Sequence, residues 1–386
     1  MDLLRIIPSL DKTGGGPVHG ILNITPFLES HNINTTVITL DDPNNSCLKN
    51  HSFKTIGLGP TFLKYGYRKG IVSKIRKIAK DFDAVIIHGI WQYHSFATWR
   101  ALRKLEIPYF VYTHGQLDPF FKNYKLKHLK KMIYWPLTDF RVLRDAKAVF
   151  FTTDQEKKLA RSYFKLYKAN EIVVNYGISK PPSLQEVSCE LFFEKYPELK
   201  NKKIILFLSR LNYKKGLDIL LEAFAYIKSQ KDEKYNLVIA GPNSDRLQEK
   251  LEEQASKLNI SNQIIWTGML THDMKWSAFR AADIFCLPTH SENFGIAIVE
   301  ALACSLPVIT TDKVNIFNDI ELSGAGFISN DDLEGIKLSF IKWTNLNEIE
   351  KIEMRKNAYN LFQEKFDFAK TSHHLINTLK VFLNKK

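Results

Sequence analysis

The chain has few of the features that mark secreted, membrane-spanning or zinc-binding proteins. Its 386 residues include only four cysteines, Cys47, Cys189, Cys286 and Cys304. Their spacing matches neither a metal site nor a disulfide framework, so we expect free, mostly buried thiols in a reducing compartment. No apolar run is long enough to span a bilayer, and residues 1–8 lack the basic and apolar regions of a signal peptide. We therefore expect a cytoplasmic protein.

Two common cofactor motifs are absent or misplaced. The loop at 11–17 carries three consecutive glycines but not the G-x-G-x-x-G fingerprint, which argues against a nicotinamide-dependent oxidoreductase. Asp81-Phe82-Asp83 matches a D-x-D metal pattern. It lies, however, at a predicted helix-to-strand junction, on the sheet edge opposite the one where ligands bind. We therefore attribute the D-x-D match to chance.

Positive charge is concentrated in the amino half. Residues 1–180 contain 28 Lys and Arg against 14 Asp and Glu, a net +14, whereas residues 181–386 contain 26 against 27, a net −1. The excess is densest at 64–80 and at 122–131, where aromatic residues are interleaved. Such a face can dock on anionic lipid or bind a phosphate-bearing acceptor, and a lysine-rich solvated surface is an equally good interpretation of either cluster. Nucleic acid is the weaker interpretation, because no known binding signature accompanies the charge.

Apolar runs alternate with helical patterns along the whole chain. Strands are predicted at 3–7, 35–40, 84–88, 109–113, 148–152, 204–209, 236–240, 263–267, 283–287 and 307–310. Helices are predicted at 18–30, 71–80, 94–104, 154–167, 217–228 and 367–383. The alternation predicts a mostly parallel, doubly wound α/β sheet in each half, and the Pro/Ser-rich break at 179–183 predicts the boundary between two domains.

The stretch 291–303 carries two carboxylates, Glu292 and Glu300, between a predicted strand and a buried helix that we expect to begin near Phe294. The backbone N–H groups of residues 293–296 would then be unpaired first-turn donors that suit an anionic or hydroxyl-rich ligand. Glu300 would lie among apolar neighbours and need a partner, such as sugar hydroxyls, to stay ionised. The plainer alternative makes Glu292 a helix-start acid and Glu300 part of a solvated edge.

A basic loop follows the predicted strand at 204–209. Arg210 is expected at the carboxyl end of that strand, and Lys215 and Gly216 directly precede the predicted helix at 217–228. Ligands bind at that edge in open α/β sheets, where two cations can clamp a pyrophosphate. Taken alone, both side chains are equally well interpreted as surface charges.

Together these stretches resemble the retaining glycosyltransferases of family 4, which have the GT-B fold. The E-x7-E pair of that family falls on Glu292 and Glu300, and its R-x4-KG pattern falls on Arg210, Lys215 and Gly216. The resemblance covers most of the carboxyl half and, more loosely, the glycine- and histidine-containing loops of the amino half. It implies two Rossmann-like, doubly wound domains facing an interdomain cleft: an acceptor-binding domain at 1–180, a nucleotide-sugar-binding domain at 181–365, and a helix at 366–386 that crosses back to the first domain.

The resemblance also implies how the donor is held. Glu292 would hold the sugar hydroxyls near the reacting carbon, Glu300 the ribose, and Arg210 with Lys215 the pyrophosphate. The loop after 263–267 would read the base through backbone groups, so its side chains leave the base unspecified. The implied catalytic residues are Glu292, His114, Arg210 and Lys215. The implied donor-binding residues are Gly15, Gly16, Arg210, Lys215, Gly241, Met269, Leu270, Asn293, Phe294, Gly295, Ile296 and Glu300.

Two predicted strand ends in the amino half carry a histidine followed by glycine, at His88 and His114. A lone histidine is more often structural, but one at each of two ligand-facing strand ends favours a binding role. By resemblance, His114 contacts the transferred sugar. The candidates for acceptor recognition are Trp91, Tyr93, Gln116 and Asp118. Many relatives carry an adjacent Asn-Gly pair after the last predicted strand of the amino half. Here Tyr176 lies between Asn175 and Gly177, and we expect only the local turn to differ.

The chemistry implied is transfer of a hexose to a saccharide or polyprenyl-linked saccharide acceptor, with retention of configuration, in cell-surface polysaccharide biosynthesis at the inner face of the membrane. Protein cations and helix starts would neutralise the departing diphosphate, so we expect no cofactor and no divalent metal. Three minor interpretations stay open beside the transferase, and one of them is the nicotinamide-dependent oxidoreductase considered above, which the alternating pattern fits but the missing fingerprint does not. Another is a GT-B nucleotide-sugar epimerase, which would need no acceptor. The third is a basic protein that binds membrane or nucleic acid and has no enzyme activity.

Overall fold

The structure, a computed structural model, describes residues 1–11, 15–61, 63–119, 125–230, 235–243 and 246–383. Contacts divide the chain into two compact units, unit 1 (Met1–Tyr176 with Thr371–Lys386) and unit 2 (Gly177–Lys370). Part of the second basic cluster, 122–124, and the first glycine of the triplet lie outside the described residues. Within the described ranges, no helix is long and apolar enough to cross a bilayer.

Unit 1 is built on seven parallel strands. They are β1 (Asp2–Ile6), β2 (Asn34–Thr39), β3 (Lys54–Gly57), β4 (Ala84–His88), β5 (Tyr109–Tyr112), β6 (Ala148–Phe151) and β7 (Glu171–Val173). The sheet has the order β3-β2-β1-β4-β5-β6-β7. Its central strands are apolar on both faces because helices cover both sides. Strand order reverses between β1 and β4, and in such sheets the crevice at the carboxyl ends of that pair is where ligands bind.

Six helices connect these strands. They are α1 (Gly16–Ser30), α2 (Ile71–Ala79), α3 (Tyr93–Leu102), α4 (Lys125–Tyr134), α5 (Asp139–Arg144) and α6 (Asp154–Tyr163). α1 begins with a proline in its first turn, where the missing N–H costs nothing. Gly15 precedes α1 with a φ of 79°, a conformation that favours glycine.

Unit 2 is built on six parallel strands. They are β8 (Lys203–Leu208), β9 (Tyr235–Ala240), β10 (Ile264–Gly268), β11 (Ile284–Leu287), β12 (Val308–Thr311) and β13 (Gly326–Ser329). The sheet has the order β10-β9-β8-β11-β12-β13. Strand order therefore reverses between β8 and β11, which predicts the ligand-binding crevice of this unit.

Nine further helices complete the described fold. They are α7 (Glu190–Lys195), α8 (Leu217–Gln230), α9 (Gln248–Lys257), α10 (His272–Ala281), α11 (Ile296–Ala303), α12 (Phe317–Ser323), α13 (Leu333–Asn345), α14 (Glu348–Leu361) and α15 (Phe368–Leu383). From Thr371 onward α15 belongs to unit 1. There Leu375, Ile376 and Leu379 are buried in one cluster with Leu3 and Phe110 of the sheet. The last helix of the chain thus completes the core of the first unit.

The predicted strands are all present, each within one residue of its predicted ends. The prediction missed β3, β7 and β13, because these short strands are only partly buried and lack an apolar run. The predicted helix at 154–167 is too long, since Phe164 is extended and its ring stacks on Trp135 with centroids 4.4 Å apart. The thiols are less buried than expected, because only Cys286 is fully enclosed.

Candidate active site

The carboxyl ends of β8 and β11 bring a lysine and a glutamate together. Lys215 follows β8 in one turn of 3-10 helix, which the side chain of Asn212 caps by accepting a bond from the N–H of Lys214. The Lys215 ammonium donates to the Glu292 carboxylate, and these side chains are only 14% and 23% exposed. Each charge depends on the other, because an unpaired charge in a mostly buried position is costly.

Gly216 holds the lysine loop against the glutamate loop. Its φ is 65°, and a Cβ atom there would lie 2.0 Å from the carbonyl oxygen of Pro288. Nearby, the carbonyl oxygen of Lys214 accepts hydrogen bonds from the His290 N–H and the Thr289 hydroxyl, both at 2.8 Å. The close backbone approach therefore requires a glycine at 216, and two hydrogen bonds join the two loops.

The ends of β8, β9 and β10 are joined in the same way. A Cβ atom at Gly241 would lie 1.8 Å from the carbonyl oxygen of Ser209, and the Gly241 N–H donates to the Gly268 carbonyl at 2.8 Å. Arg210 follows directly and is exposed. Within the described residues it forms no ion pair, so its guanidinium is available to a ligand. Of the two candidates beside the base, Met269 is exposed whereas Leu270 is buried.

The start of α11 differs from the prediction. Gly295 is left-handed, with a φ of 72°, and α11 begins at Ile296 rather than near Phe294. The N–H of Asn293 donates to the carboxylate of Glu292 at 3.1 Å, so Asn293 is not one of the unpaired first-turn donors. The reason is local: glycine allows a sharp turn that keeps the preceding residues out of the helix.

Glu300 has a protein partner that the sequence did not reveal. Lys275 of α10 donates to its carboxylate at 2.6 Å, and the two side chains are 22% and 13% exposed. The expectation that Glu300 needs a partner is met, but by an ammonium group rather than only by sugar hydroxyls. Lys275 lies 25 residues earlier in the chain, at a spacing that no motif covers.

A histidine two residues before Glu292 forms a second unpredicted contact. His290 Nδ1 lies 2.9 Å from the Asp331 carboxylate, and Lys313 lies 3.5 Å from the same group. Burial raises the pKa of Asp331, but the hydrogen bond with His290 and the charge of Lys313 together outweigh it and leave that pKa below its usual value. The ionised Asp331 orients the imidazole beside the glutamate loop.

In unit 1, a buried carboxylate holds the loop that carries His114. Glu156 of α6 accepts bonds from the Thr113 hydroxyl (2.7 Å) and the Gly115 N–H (2.6 Å) through one oxygen. Through the other it accepts two bonds of 2.7 Å from Thr152. The T-x-x-E pattern at 153–156 would be interpreted as a capping box, and its tertiary role is invisible in the sequence.

The two strand-end histidines are in contact and form part of a longer chain of polar groups. Arg5 Nε donates to His88 Nε2 at 3.1 Å, His88 Nδ1 lies 3.1 Å from His114 Nε2, and His114 Nδ1 lies 3.4 Å from the Tyr176 hydroxyl. Burial lowers the pKa of His114 to about 3, helped by the charge of Arg5. The same causes hold the pKa of His88 well below its usual value. The expectation that Tyr176 alters only a turn is wrong, because its side chain reaches His114.

The acceptor candidates lie in the loops after β4 and β5, where several are engaged within the protein. Gln116 accepts a bond from the Ile90 N–H at 2.6 Å, and the Trp91 indole donates to the Gln116 carbonyl at 3.0 Å. Tyr93 is buried, whereas Asp118 is partly exposed. Trp91 and Gln116 thus join the two loops, and the role of all four in acceptor binding stays a prediction.

A fully buried aspartate supports the Trp91 loop. Asp139 accepts bonds from the Ser95 hydroxyl at 3.0 Å and the Trp91 N–H at 3.3 Å. Burial raises the pKa of Asp139 to about 7, and these hydrogen bonds offset only part of that rise.

Two family models match the chain, one on each unit. The model for glycosyl transferases group 1 matches residues 189–361, and the model for Glycosyltransferase Family 4 matches residues 14–178. Together they account for most of the sequence. The chain belongs to the family 4 glycosyltransferases. The family assignment made from the E-x7-E and R-x4-KG patterns is therefore confirmed.

The chain is also similar to individual proteins and to solved structures. An alpha-monoglucosyldiacylglycerol synthase from Streptococcus pneumoniae is 28% identical over 297 residues, which cover 74% of this chain and 65% of that protein. A glycosyltransferase from Rickettsia africae has a similar structure, with a TM-score of 0.80 at 17% identity over 100% of this chain and 99% of that one. HepE from Anabaena, solved with UDP-glucose, has a TM-score of 0.75 at 19% identity. The match covers 99% of this chain and 100% of HepE. The two Rossmann-like units are those of GT-B glycosyltransferases, as predicted.

Proposed function

We propose that this family 4 glycosyltransferase moves a hexose from a nucleotide-sugar to a saccharide or lipid-linked saccharide acceptor, with retention, in cell-surface polysaccharide biosynthesis. The observation that carries the proposal is the Lys215–Glu292 pair at the point where the strand order of unit 2 reverses. An ammonium group has three N–H donors, so Lys215 can keep its bond to Glu292 and donate another to a diphosphate. The exposed Arg210, which follows the same strand as Lys215, supplies a second cation.

The reaction follows from these charges. The acceptor hydroxyl attacks C1 of the donor sugar on the face that the diphosphate leaves. The C1–O bond to phosphate breaks, the C1–O bond to the acceptor forms, and the hydroxyl proton passes to a phosphate oxygen. Arg210 and Lys215 stabilise the negative charge that develops on the diphosphate, and Glu292 holds sugar hydroxyls close to C1. We propose that these cations suffice and that no cofactor or divalent metal is needed.

Support for a nucleotide-sugar donor comes from HepE, which was solved with UDP-glucose. The described end of β10 bears on the choice of base only weakly, because Leu270 is buried and the exposed Met269 has no donor or acceptor specific for one base. The donor has to be identified by experiment.

The decisive experiment is a thermal-shift and nucleotide-release panel over UDP-, GDP- and ADP-sugars. Lys215→Ala and Glu292→Ala proteins test the pair, and Lys257→Ala and Glu253→Ala are matched controls, because Lys257 and Glu253 form an exposed ion pair in the same unit. We expect stabilisation by one nucleotide class in the wild type and the controls, and its loss in both site variants. No response to any nucleotide would reject the transferase assignment.

Two further measurements complete the test. The anomeric configuration of the product, read by NMR, distinguishes retention from inversion. Turnover that is unchanged by EDTA is expected if Arg210 and Lys215 replace a metal. Release of nucleotide without any acceptor would instead favour the epimerase.

We also propose that unit 1 docks on an anionic membrane surface, which would place the enzyme on the cytoplasmic face of the cell membrane. α4 and the turn after it expose Leu129, Met132, Ile133 and Leu137, which follow helical spacing and form one stripe. The other side of α4 faces the protein, where Lys131 lies 4.4 Å from the centre of the Trp91 ring. An outward apolar stripe on a unit with a surplus of lysine fits a bilayer surface.

Co-sedimentation with vesicles tests this docking. We expect binding to phosphatidylglycerol vesicles, weaker binding to phosphatidylcholine, and loss of binding in Met132→Glu/Ile133→Glu protein. Ile349→Glu is the control, because Ile349 is even more exposed than Met132 and Ile133 but lies in unit 2. Equal binding by both variants, or preference for an oligonucleotide over the vesicles, would reject a membrane role for α4.

A further inference from the structure

Arg5 is a buried cation that donates a hydrogen bond to a histidine. It lies in β1 at the strand-order reversal of unit 1 and is 2% exposed. Its Nε donates to His88 Nε2 at 3.1 Å, whereas its Nη1 has no hydrogen-bond partner within the described residues. No carboxylate in that part of the chain forms an ion pair with it. Burying a guanidinium in this way is costly, so the arrangement calls for a reason.

The hydrogen bond from Arg5 determines which nitrogen of each histidine carries the proton. A guanidinium only donates, so His88 Nε2 must accept and the proton of neutral His88 must lie on Nδ1. His88 Nδ1–H then donates to His114 Nε2 at 3.1 Å, which leaves the proton of neutral His114 on Nδ1. That proton points to the Tyr176 hydroxyl at 3.4 Å, a distance at which the bond is weak. One cation therefore sets two tautomers in sequence.

The other polar groups around the histidines leave this assignment intact. His94 of α3 is directed at backbone, since its Nε2 lies 2.9 Å from the carbonyl oxygen of His88 and donates to it. Tyr112 of β5 stacks on both imidazole rings, with centroids 5.4 Å from His88 and 5.5 Å from His114. Glu156 of α6 already accepts four bonds from the surrounding loops.

We propose that Arg5 is a positioning residue that, through His88, holds His114 as the neutral Nδ1–H tautomer. In this state His114 donates a hydrogen bond from Nδ1 and cannot serve as a base there. The weak bond to Tyr176 is readily exchanged for one to a saccharide hydroxyl, so Arg5 makes His114 a dedicated hydroxyl-recognising donor. This use of the tautomer rests on the proposed function, but the tautomer itself does not.

Long-range proton–nitrogen NMR on full-length protein with 15N-labelled histidine tests the tautomers directly. His88→Gln and His114→Gln proteins assign the signals. We expect Nδ1 to be protonated and Nε2 to be unprotonated in both wild-type histidines at neutral pH. A proton on Nε2 of either ring would overturn the proposal, whatever substrate the enzyme uses.

Variants test the consequence for transfer. Arg5→Met removes the donor and the charge, so we expect His114 to populate the Nε2–H tautomer and kcat to fall about tenfold, as for loss of one hydrogen bond to a saccharide. Nucleotide affinity should be unchanged. Arg5→Lys keeps a cationic donor and should restore the wild-type signals and most of the rate, which also decides the matter where Arg5→Met fails to fold. Arg161→Met, which removes a surface arginine of unit 1, should change neither the histidine signals nor kcat.

These outcomes separate the two proposals. Normal kcat in Arg5→Met, or altered tautomers in Arg5→Lys with an unchanged rate, would overturn the positioning role while transferase activity stands. Absence of any nucleotide-sugar turnover in the wild type would count against the proposed function and leave the NMR assignment to decide the tautomers.

Discussion

Two left-handed glycines in unit 2 differ in the space around them. Gly216 and Gly268 have φ values of 65° and 66°, but a Cβ atom at Gly216 would overlap the Pro288 carbonyl, whereas one at Gly268 would meet nothing within 4 Å. The position in the fold, rather than the backbone angle, therefore distinguishes them.

We predict that Gly216→Ala destabilises the protein by about 2–4 kcal/mol, the sum of left-handed strain and overlap. Gly268→Ala should cost only the strain, about 1 kcal/mol. Denaturant unfolding of the two variants measures both values. Equal losses of unfolding free energy in the two variants would show that the loop with Lys215 and Gly216 shifts freely away from Pro288.

Asp139 predicts a dependence of stability on pH. Its pKa is about 7 in the fold against an ordinary 3.8, so the folded state binds the proton more tightly. The stability that Asp139 contributes is present below pH 4 and is lost as the pH rises through 7. Relative to wild type, Asp139→Asn should therefore gain stability between pH 4 and 8, by on the order of 4 kcal/mol.

Unfolding curves of Asp139→Asn over that pH range provide the measurement. Asp145→Asn is the control, because the hydrogen bond with Arg144 lowers the pKa of Asp145, so this variant should differ from wild type by a constant amount between pH 4 and 8. A difference between Asp139→Asn and wild type that does not change with pH would mean that Asp139 stays ionised in the fold.

Site residues could be predicted from the sequence only where they belong to a local pattern. Glu292, Lys215 and Gly216 lie in short motifs next to strands, and those motifs made them candidates. Lys275 and Arg5 were not, because each is defined by a partner far away in the chain. A lysine in an amphipathic helix and an arginine in a strand carry no signal until the tertiary contact is known.

At the level of elements, α15 contributes to a core built by the other end of the chain. Leu379 is fully buried against the sheet of unit 1, whereas Val381 on the same helix is exposed. Replacing each of these two residues by alanine tests the packing of α15, because alanine keeps the helix propensity high.

We expect Leu379→Ala to lower the free energy of unfolding of unit 1 by about 2–5 kcal/mol, because it leaves a cavity. Val381→Ala should change it by less than about 0.5 kcal/mol. Hydrogen exchange, followed separately in β1 and β8, measures the stability of unit 1 and of unit 2. Faster exchange in β8 than in β1 would contradict the assignment of α15 to unit 1.

The order of elements was predictable because strands in parallel sheets are continuous apolar runs. Details at the ends of elements were not. β3, β7 and β13 depend on pairing with an existing sheet edge, and α11 starts late because Gly295 turns the chain. Such features arise from neighbours in space, which a pattern along the chain does not contain.

For the whole molecule, buried histidines should make the two units respond differently to acid. Burial lowers the pKa of His94 to about 4 and of His114 to about 3, with His88 also low, and all three lie in unit 1. Because the unfolded chain binds these protons from about pH 6.5 downward, unit 1 loses stability as the pH falls through that range. Asp139 opposes the loss but is a single group.

We predict that unit 1 unfolds at a higher pH than unit 2. Hydrogen exchange in β4 and β11 during acid titration checks this order. Simultaneous loss of protection in both strands would show that the buried histidines do not dominate acid unfolding.

The placement of α15 has a consequence for how the protein is made. A ribosome releases the seven strands of unit 1 first, yet Leu375, Ile376 and Leu379 of its core emerge only after the whole of unit 2. Unit 2 is one uninterrupted segment and can fold as soon as it has emerged. We therefore expect the usual amino-to-carboxyl order of cotranslational folding to be inverted, with the nascent first unit waiting, incompletely covered, for the last helix.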